Sequence, residues 1–139
     1  MRLAKPLAPG STIGILGGGQ LGRMLALAAG ELGFSCHIFA PEADSPAFQV
    51  SGAHTVAGYH DFTALEGFAK SVAVVTYEFE NVPGDTAAFL ESRVALAPGS
   101  GALKTAQDRV DEKTFIAGLG IPVAPFAAVN GQPELEAAI

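Results

Sequence analysis

The sequence predicts an α/β fold, in which a doubly wound parallel sheet is followed by the beginning of a second domain. Three observations support this prediction. Short apolar runs alternate with stretches of helical spacing, which is typical of a parallel sheet with helices on both faces. The run VAVVTY at residues 72–77 is continuous and rich in β-branched residues, as in a strand buried on both faces. The first run ends at three consecutive glycines, residues 17–19, and an amphipathic stretch follows, which indicates strand, turn and helix.

Five short apolar runs predict the strands of this sheet. The first stops at Gly17, the second is ended by Pro41, and the last comes directly before Pro98. The third run is weak, whereas the fourth is the strongest in the chain. In chain order the predicted strands are residues 12–16, 36–39, 54–56, 72–77 and 94–96.

Helical spacing predicts the segments between these strands. The first helix begins at Gln20 and is closed by Gly33, a typical C-terminal cap. Asp61 caps the second helix, and Pro83 suits the first turn of the third, residues 83–92. A short helical turn is predicted at residues 46–50. The apolar positions of the first two helices are Leu21, Met24, Leu25, Ala28 and Leu32, then Leu65, Phe68 and Ala69.

The character of the chain changes from Ser100 onwards. Alternating charges predict an exposed helix at residues 107–119, and Gly120 ends it. Residues 126–129 are predicted to open a new strand, and residues 133–139 to begin a helix. We therefore expect a first domain at residues 1–103 and the start of another at residues 104–139, in the N-terminal part of a longer protein.

The charge balance argues against nucleic acid as the main partner. The chain has 8 Lys and Arg against 14 Asp and Glu, a net charge of -6, and the basic residues do not cluster. No apolar run approaches the roughly 20 residues that span a bilayer, and the N-terminus lacks a signal-peptide pattern. The single cysteine, Cys36, lies in an apolar run and fits a reducing compartment. We expect a cytoplasmic protein without a membrane partner.

The glycine turn predicts a site for an anion. Backbone N–H groups and the positive end of a helix dipole converge at such a turn, where a phosphate can sit. Gly17, Gly19 and Gly22 satisfy the dinucleotide fingerprint, but residues 39–41 read FAP where a nicotinamide enzyme places an acid. The pattern favours a monophosphate or a ribonucleotide. A dinucleotide, or glycines that serve only close packing, remain open alternatives. Gln20 both donates and accepts, which suits a neutral polar group of a ligand.

Two carboxylates follow the strongest predicted strand. In extended geometry Glu78 and Glu80 point to the same side, and their burial costs solvation unless something uses them. They suggest a general acid/base pair or a metal pair, or else a solvated loop with Glu80 near the next helix. No histidine or third carboxylate accompanies them in the sequence. We interpret His37, His54 and His60 as structural residues.

Four motifs occur in one order: GGGQLGRM at residues 17–24, SPAFQV at 45–50, TYEFENV at 76–82 and QDRVDEK at 107–113. Together they resemble the 5-(carboxyamino)imidazole ribonucleotide synthetases, the ATPase subunit type of phosphoribosylaminoimidazole carboxylase, in the ATP-grasp superfamily. The resemblance covers about residues 12–129. It implies a Rossmann-like pre-ATP-grasp domain that binds substrate at residues 1–103, with a linker helix and the start of an ATP-grasp domain at residues 104–139.

The resemblance also implies an activity. Such a ligase joins bicarbonate to the amine of aminoimidazole ribonucleotide and cleaves ATP, with Mg²⁺ on the nucleotide phosphates, in purine biosynthesis. The family is commonly homodimeric. The ATP-grasp lysine and the magnesium ligands would lie beyond Ile139, so the resemblance implies no catalytic or metal-binding residue in this chain, and we expect the chain alone to be inactive.

Six residues match positions with a binding role in the family. Arg109 would reach ATP, although an exposed helix with weak ion pairs explains the same pattern. Ala40 stands where many relatives carry Asp, a change that we expect to be tolerated. The residues that would contact the ribonucleotide are Gly18, Gly19, Gln20, Leu21 and, from the opposite rim, Glu78.

Two alternative functions remain open from the sequence. A related ATP-grasp ribonucleotide transformylase would act on another ribonucleotide, and that relative tends to carry Glu where this chain has Gln20. An NAD(P)-binding oxidoreductase domain would use the same glycine turn, but the missing acid after the second strand counts against it.

Overall fold

The computed structural model describes residues 5–139, and its core is a five-stranded parallel sheet. The strands are β1 (Thr12–Leu16), β2 (Ser35–Ala40), β3 (Ala53–Val56), β4 (Val74–Tyr77) and β5 (Ala95–Leu96). Their order across the sheet is β3-β2-β1-β4-β5. The chain therefore changes direction across the sheet between β1 and β4, which is where doubly wound sheets bind ligands. The predicted fold class is confirmed.

Helices connect and follow the strands. Asp61 caps the second helix as predicted, because its Oδ1 accepts a hydrogen bond from Ala64 N at 2.9 Å. Gly33 follows the first helix with a φ of +81°, a left-handed conformation that favours glycine. A short 3-10 helix occupies Pro46–Val50. The α-helices within residues 5–139 are α1 (Gln20–Glu31), α2 (Phe62–Lys70), α3 (Gly84–Glu91), α4 (Ser100–Gln107), α5 (Arg109–Gly118) and α6 (Gln132–Ala138).

Two features of the C-terminal part differ from the sequence prediction. The sequence does not predict α4. The first residue of this helix, Ser100, is capped by a side chain of α3. Glu91 Oε2 accepts a hydrogen bond from Ser100 N at 3.2 Å and a second one from the Ser100 hydroxyl. Residues 126–129, predicted as a strand, are exposed and have no regular structure. No strand of the described residues 5–139 pairs with them, and an isolated strand is not stable in water.

Apolar side chains pack on both faces of the sheet, as a doubly wound fold requires. Burial of each large side chain contributes about 1.5–3 kcal/mol, so both clusters stabilise the fold substantially. Beneath α2 and α3 the buried side chains include Leu16, Phe39, Leu65, Phe68, Val75 and Leu90. Beneath α1 and the 3-10 helix the buried residues are Ile15, Ala26, Ala29, Cys36, Ile38 and Ala47.

Helix α1 packs on the sheet through small residues rather than through its leucines. Its buried positions are Gly22, Ala26 and Ala29. Gly22 packs closely on the glycine turn, since a Cβ there would lie 2.6 Å from the carbonyl oxygen of Gly17. The apolar stripe that the sequence shows at helical spacing is exposed instead: Leu21 56%, Met24 56%, Leu25 42% and Leu32 72%.

The chain forms two compact units. The first ends at Leu103 and contains the whole sheet with α1, α2 and α3. The second runs from Lys104 to Ile139 and contains α5 and α6. Among the helices of the described residues, none combines the length and the apolar character needed to cross a membrane.

His37 of β2 is partly buried and contacts two hydroxyl groups. Its Nδ1 lies 2.8 Å from Ser71 Oγ, and its Nε2 lies 2.8 Å from Thr55 Oγ1. Burial, and then the neighbouring His54, lower the pKa of His37 below the usual histidine value. These contacts agree with the structural role that the sequence predicts for this residue.

We expect His37 to make the protein less stable as the pH falls from about 8 to about 5.5. The pKa of His37 is lower in the folded chain, so the unfolded chain binds the proton first as the pH falls. The stability that neutral His37 contributes is therefore present above pH 6.5 and declines below it. Urea unfolding at both pH values measures the loss in the free energy of unfolding. His37→Gln should lose less than wild type. Equal losses in the two proteins would contradict this assignment.

Candidate functional site

The candidate site lies at the edge of the sheet where the strands end. We call this edge the rim and define it as the segments that follow β1 to β4, residues 17–20, 41–45, 57–59 and 78–80. Parallel strands end at the same edge, so these segments lie together although they are distant in the sequence. Pairing of Leu16 with Tyr77 places the glycine turn directly beside the acidic segment after β4.

Gly17 opens the turn after β1. Its N–H donates to the carbonyl oxygen of Phe39 at 3.0 Å. Its φ of +111° is a conformation that residues with a Cβ rarely adopt. A Cβ at Gly17 would in addition lie 2.6 Å from Cδ of Glu78. Both the backbone conformation and the space therefore require glycine at this position.

Glu78 is bound to the N-terminus of α1. Its Oε1 accepts a hydrogen bond from Gly19 N at 3.0 Å, and its Oε2 accepts one from Gly22 N. Its own N–H donates to Leu16 O at 3.1 Å, which continues the pairing of the two strands. Helix α1 has no side-chain cap from its own N-cap residue, Gly19. A carboxylate from the end of β4 therefore satisfies two orphan amides of α1 and complements its dipole.

This contact corrects the expectation that the whole glycine turn presents its amides to a phosphate. The amides of Gly19 and Gly22 are already bound to a carboxylate, whose charge would repel a phosphate at the same place. The amides of Gln20 and Leu21 receive no acceptor from residues 5–139, and both residues are exposed. The turn thus offers two backbone N–H donors without an acceptor in residues 5–139, beside a carboxylate. This combination suits a neutral part of a ligand that carries hydroxyl groups.

Gly18 is buried beneath the segment that follows β2. A Cβ at Gly18 would lie 2.5 Å from Ser45 Cβ and 2.8 Å from Ala40 Cβ. Its carbonyl oxygen accepts a hydrogen bond from Ala47 N at 3.0 Å. Close packing alone therefore requires glycine here. Ala40 is fully buried, so the end of β2 contributes no acid to the rim.

A side-chain contact further secures the glycine turn. The guanidinium of Arg23 in α1 donates from Nη1 to Pro46 O at 3.0 Å and to Gln49 Oε1 at 2.8 Å. The 3-10 helix is therefore attached to α1 directly after the turn. The matching motifs at residues 17–24 and 45–50 are in contact in the fold.

Glu80 does not join Glu78 as a carboxylate pair. β4 ends at Tyr77, so the extended geometry that would place both acids on one side does not continue past it. Glu78 is partly buried against α1, whereas Glu80 is exposed in the following turn. Of the alternatives that the sequence left open, this geometry favours a solvated loop at Glu80, because the chain turns between the two residues.

Arg109 belongs to the second unit and begins α5. Its side chain is 77% exposed and forms an ion pair with Glu112 three residues later. Asp108 caps the helix through hydrogen bonds from Val110 N at 2.8 Å and Asp111 N at 3.0 Å. These contacts fit an exposed helix with weak ion pairs, and contact of Arg109 with ATP stays a prediction.

Tyr59 is a rim residue that the sequence analysis does not single out. It follows β3, and its ring packs near Phe39 and Phe79. Burial is the main cause that raises the pKa of Tyr59 to about 12, and the carboxylates of Glu42 and Glu78 add to it. A lone tyrosine after a weak edge strand carries no sequence signal, because only the folded loop brings it towards Glu78.

The histidines have contacts within the fold. The His54 ring stacks on Phe48 with centroids 4.3 Å apart, and His60 Nε2 lies 3.6 Å from Asp85 Oδ2. In the described part of the chain, no three or more His, Cys, Asp or Glu side chains are placed to hold a metal ion. The residues present do not form a magnesium site, and we assign no ligand of Mg²⁺ to this chain.

Comparison with known proteins defines the class of this domain. The sequence matches the ribonucleotide synthetase preATP-grasp domain family over residues 10–107. The chain belongs to this family. The match covers the sheet, the rim and α1 to α4.

Individual relatives indicate the kind of synthetase. The chain is 51% identical to the bifunctional purine synthesis protein purC/E of Dictyostelium discoideum, over 96% of this chain and 13% of that protein. It is 47% identical to the N5-carboxyaminoimidazole ribonucleotide synthase of Brucella melitensis, over 96% of this chain and 37% of that protein. The chain thus spans little more than a third of the bacterial relative. The resemblance seen in the four sequence motifs is confirmed.

A crystal structure from Aspergillus clavatus supports the same relationship. It shows N5-carboxyaminoimidazole synthase in complex with ADP and 5-aminoimidazole ribonucleotide. The similarity has a TM-score of 0.81 and 31% identity, over 94% of this chain and 35% of that one.

We expect Glu78→Ala to destabilise the first unit by about 1–3 kcal/mol, because it leaves two amides of α1 without an acceptor. Urea unfolding of the purified variant measures this loss. Asp44→Ala is the matched control, since it removes an exposed carboxylate from another segment of the rim and should change stability by less than about 0.5 kcal/mol. Equal effects of the two substitutions would show that Glu78 does not stabilise α1.

Proposed function

We propose that the full-length protein joins bicarbonate to aminoimidazole ribonucleotide with cleavage of ATP, forming 5-(carboxyamino)imidazole ribonucleotide in purine biosynthesis. In this proposal the chain supplies the N-terminal domain that binds the ribonucleotide. The observation that carries it is the Glu78 carboxylate beside the open amides of Gln20 and Leu21, at the strand-order switch of a ribonucleotide synthetase domain. The name of the Brucella relative and the ligands of the Aspergillus structure support the same reaction.

The chemistry of the rim suggests which part of the ribonucleotide it holds. Each oxygen of Glu78 accepts one hydrogen bond from the protein and retains a lone pair for a ligand hydroxyl or amine. Gln20 adds a side-chain amide, and the main chain of Gln20 and Leu21 adds two donors. These groups suit the ribose or the amine end, with Gly18 and Gly19 shaping the turn beneath it. The phosphate is better placed elsewhere in the full-length protein.

ATP and Mg²⁺ belong in this proposal to the neighbouring ATP-grasp domain. We assign residues 1–103 to the substrate domain and residues 104–139 to a linker helix and the start of the ATP-grasp domain, with Arg109 reaching towards ATP. Bound Mg²⁺ would neutralise charge on the nucleotide phosphates. No catalytic residue is assigned within this chain, and we expect it to be inactive alone.

We expect Gln20→Ala in the full-length protein to raise the KM for aminoimidazole ribonucleotide roughly ten-fold, as for loss of one or two hydrogen bonds. The KM for ATP and the thermal midpoint should stay unchanged, because Gln20 is exposed and binds no other side chain of residues 5–139. Steady-state kinetics with each substrate varied in turn measures the effect. Gln132→Ala, at the first position of α6, is the matched control.

Other results would favour the alternative functions. An unchanged KM in Gln20→Ala would remove this residue from the site. Higher activity with glycinamide ribonucleotide and formate than with the imidazole substrate would indicate the related transformylase. Tight binding of NADH, followed by its fluorescence, would support an oxidoreductase domain.

We also propose that the full-length protein is a cytoplasmic homodimer. Cys36 is a buried free thiol, which stays reduced in that compartment. The exposed stripe of α1 carries no charge, and a two-fold axis lets one such surface pack on its own copy. A stable dimer buries about 800 Å² on each partner, and this stripe supplies an apolar centre for such an area. Its residues are Leu21, Met24, Leu25, Ala28 and Leu32.

We expect Leu25→Glu to weaken the dimer of the full-length protein at least about ten-fold, because each interface would bury two unpaired carboxylates. Analytical ultracentrifugation across a concentration series measures the dissociation constant. Leu27→Glu is the matched control, since Leu27 is 50% exposed on the same helix but lies away from the stripe. If both variants dissociate with the wild-type constant, α1 does not form the dimer interface. If the wild-type protein is monomeric, the proposal of a homodimer is wrong.

A further inference from the structure

Tyr59 is fixed at the rim by its ring and by its backbone. The centroid of its ring lies 6.2 Å from that of Phe39 and 6.2 Å from that of Phe79. Its carbonyl oxygen accepts a hydrogen bond from Thr86 Oγ1 at 2.6 Å, and Thr86 is fully buried. A side chain restrained in this way loses little conformational entropy when it binds a ligand.

Within the described residues 5–139, no donor or acceptor hydrogen-bonds to the hydroxyl of Tyr59. In the same part of the chain, no side-chain nitrogen or oxygen is both buried and without a partner, so this hydroxyl must reach solvent. Tyr59 therefore combines a restrained, partly buried ring with an open polar end.

The surroundings of Tyr59 keep its hydroxyl protonated. Burial first, and then the carboxylates of Glu42 and Glu78, raise the pKa of Tyr59 to about 12. At neutral pH the group is a neutral phenol, which can donate one hydrogen bond and accept another. The contact of its ring with Phe79, the residue after Glu78, places Tyr59 on the side of the rim where the candidate site is.

We propose that Tyr59 is a further ligand-binding residue of the ribonucleotide site and donates its hydroxyl hydrogen to an oxygen of the ligand's pentose. This inference rests on the proposed function. The carboxylate of Glu78 can only accept hydrogen bonds. The two backbone amides that donate to it belong to the N-terminus of α1, which lies on the opposite face of the sheet from α2 and α3. Tyr59 approaches the rim from the α2 and α3 face and supplies a donor on that side. A pentose hydroxyl, which both donates and accepts, fits between an acceptor and a donor of this kind.

The test is Tyr59→Phe in the full-length protein, which removes the hydroxyl and keeps the ring. We expect the KM for aminoimidazole ribonucleotide to rise roughly two- to ten-fold, as for loss of one neutral hydrogen bond. The KM for ATP and the thermal midpoint should not change. Tyr77→Phe is the matched control, because its hydroxyl reaches only Gly99 O at 3.5 Å and its KM should equal that of wild type.

The outcomes separate this inference from the proposed function. A normal ribonucleotide KM in Tyr59→Phe, with a raised KM in Gln20→Ala, would overturn the role of Tyr59 and leave the proposed function standing. Normal values in both variants would overturn the role of Tyr59 and remove Gln20 from the site. Failure of the full-length protein to turn over aminoimidazole ribonucleotide with ATP and bicarbonate would overturn the proposed function itself. A lower kcat or a lower thermal midpoint without a change in KM would show that the hydroxyl supports only the fold. Equal KM increases in Tyr59→Phe and Tyr77→Phe would also contradict a specific contact.

Discussion

The contact between Glu78 and the N-terminus of α1 is the interaction on which the rim depends. It connects the end of β4 to the turn after β1, the two strands between which the strand order reverses. A Cβ at Gly17, Gly19 or Gly22 would crowd the Glu78 side chain, so the contact favours glycine at all three positions. Contacts within the chain thus organise the rim, which offers a carboxylate flanked by amide donors.

The fold uses the same physical solution at a second helix. Glu91 of α3 accepts two hydrogen bonds from Ser100 at the start of α4. These hydrogen bonds lower the pKa of Glu91, which therefore stays ionised beside the positive end of that helix dipole. A chain with net charge -6 thus directs two carboxylates from other elements, in addition to the local caps Asp61 and Asp108, at helix starts where their charge is favourable. The contact of Glu91 only caps α4. The contact of Glu78 caps α1 and also leaves carboxylate lone pairs available at the rim.

Most of the fold could be predicted because its elements are encoded locally. Alternation of apolar runs with helical spacing indicated all five strands, and Asp61 indicated the start of α2. The exceptions depend on distant partners. α4 takes its cap from Glu91, and residues 126–129 lack the neighbouring strand that their composition would need. The candidate site could be predicted less completely. The glycine turn and Glu78 stand out in the sequence, but their hydrogen bonds to each other and the approach of Tyr59 to the rim depend on the folded chain.

The sequence by itself determined the fold class, the glycine turn and the family, since each rests on residue types at short, regular spacing. Only the tertiary structure decided what the turn binds within the protein and which face of α1 meets the sheet. Helical spacing in the sequence indicates that the face of α1 containing Leu25 is the apolar one. The face that packs on the sheet is instead the one with Ala26, because small residues let the helix approach a strand closely. The leucines of α1 are therefore exposed. Pairing of β1 with β4 brought Glu78 to α1, and such a long-range neighbour cannot be inferred from the local pattern of either segment.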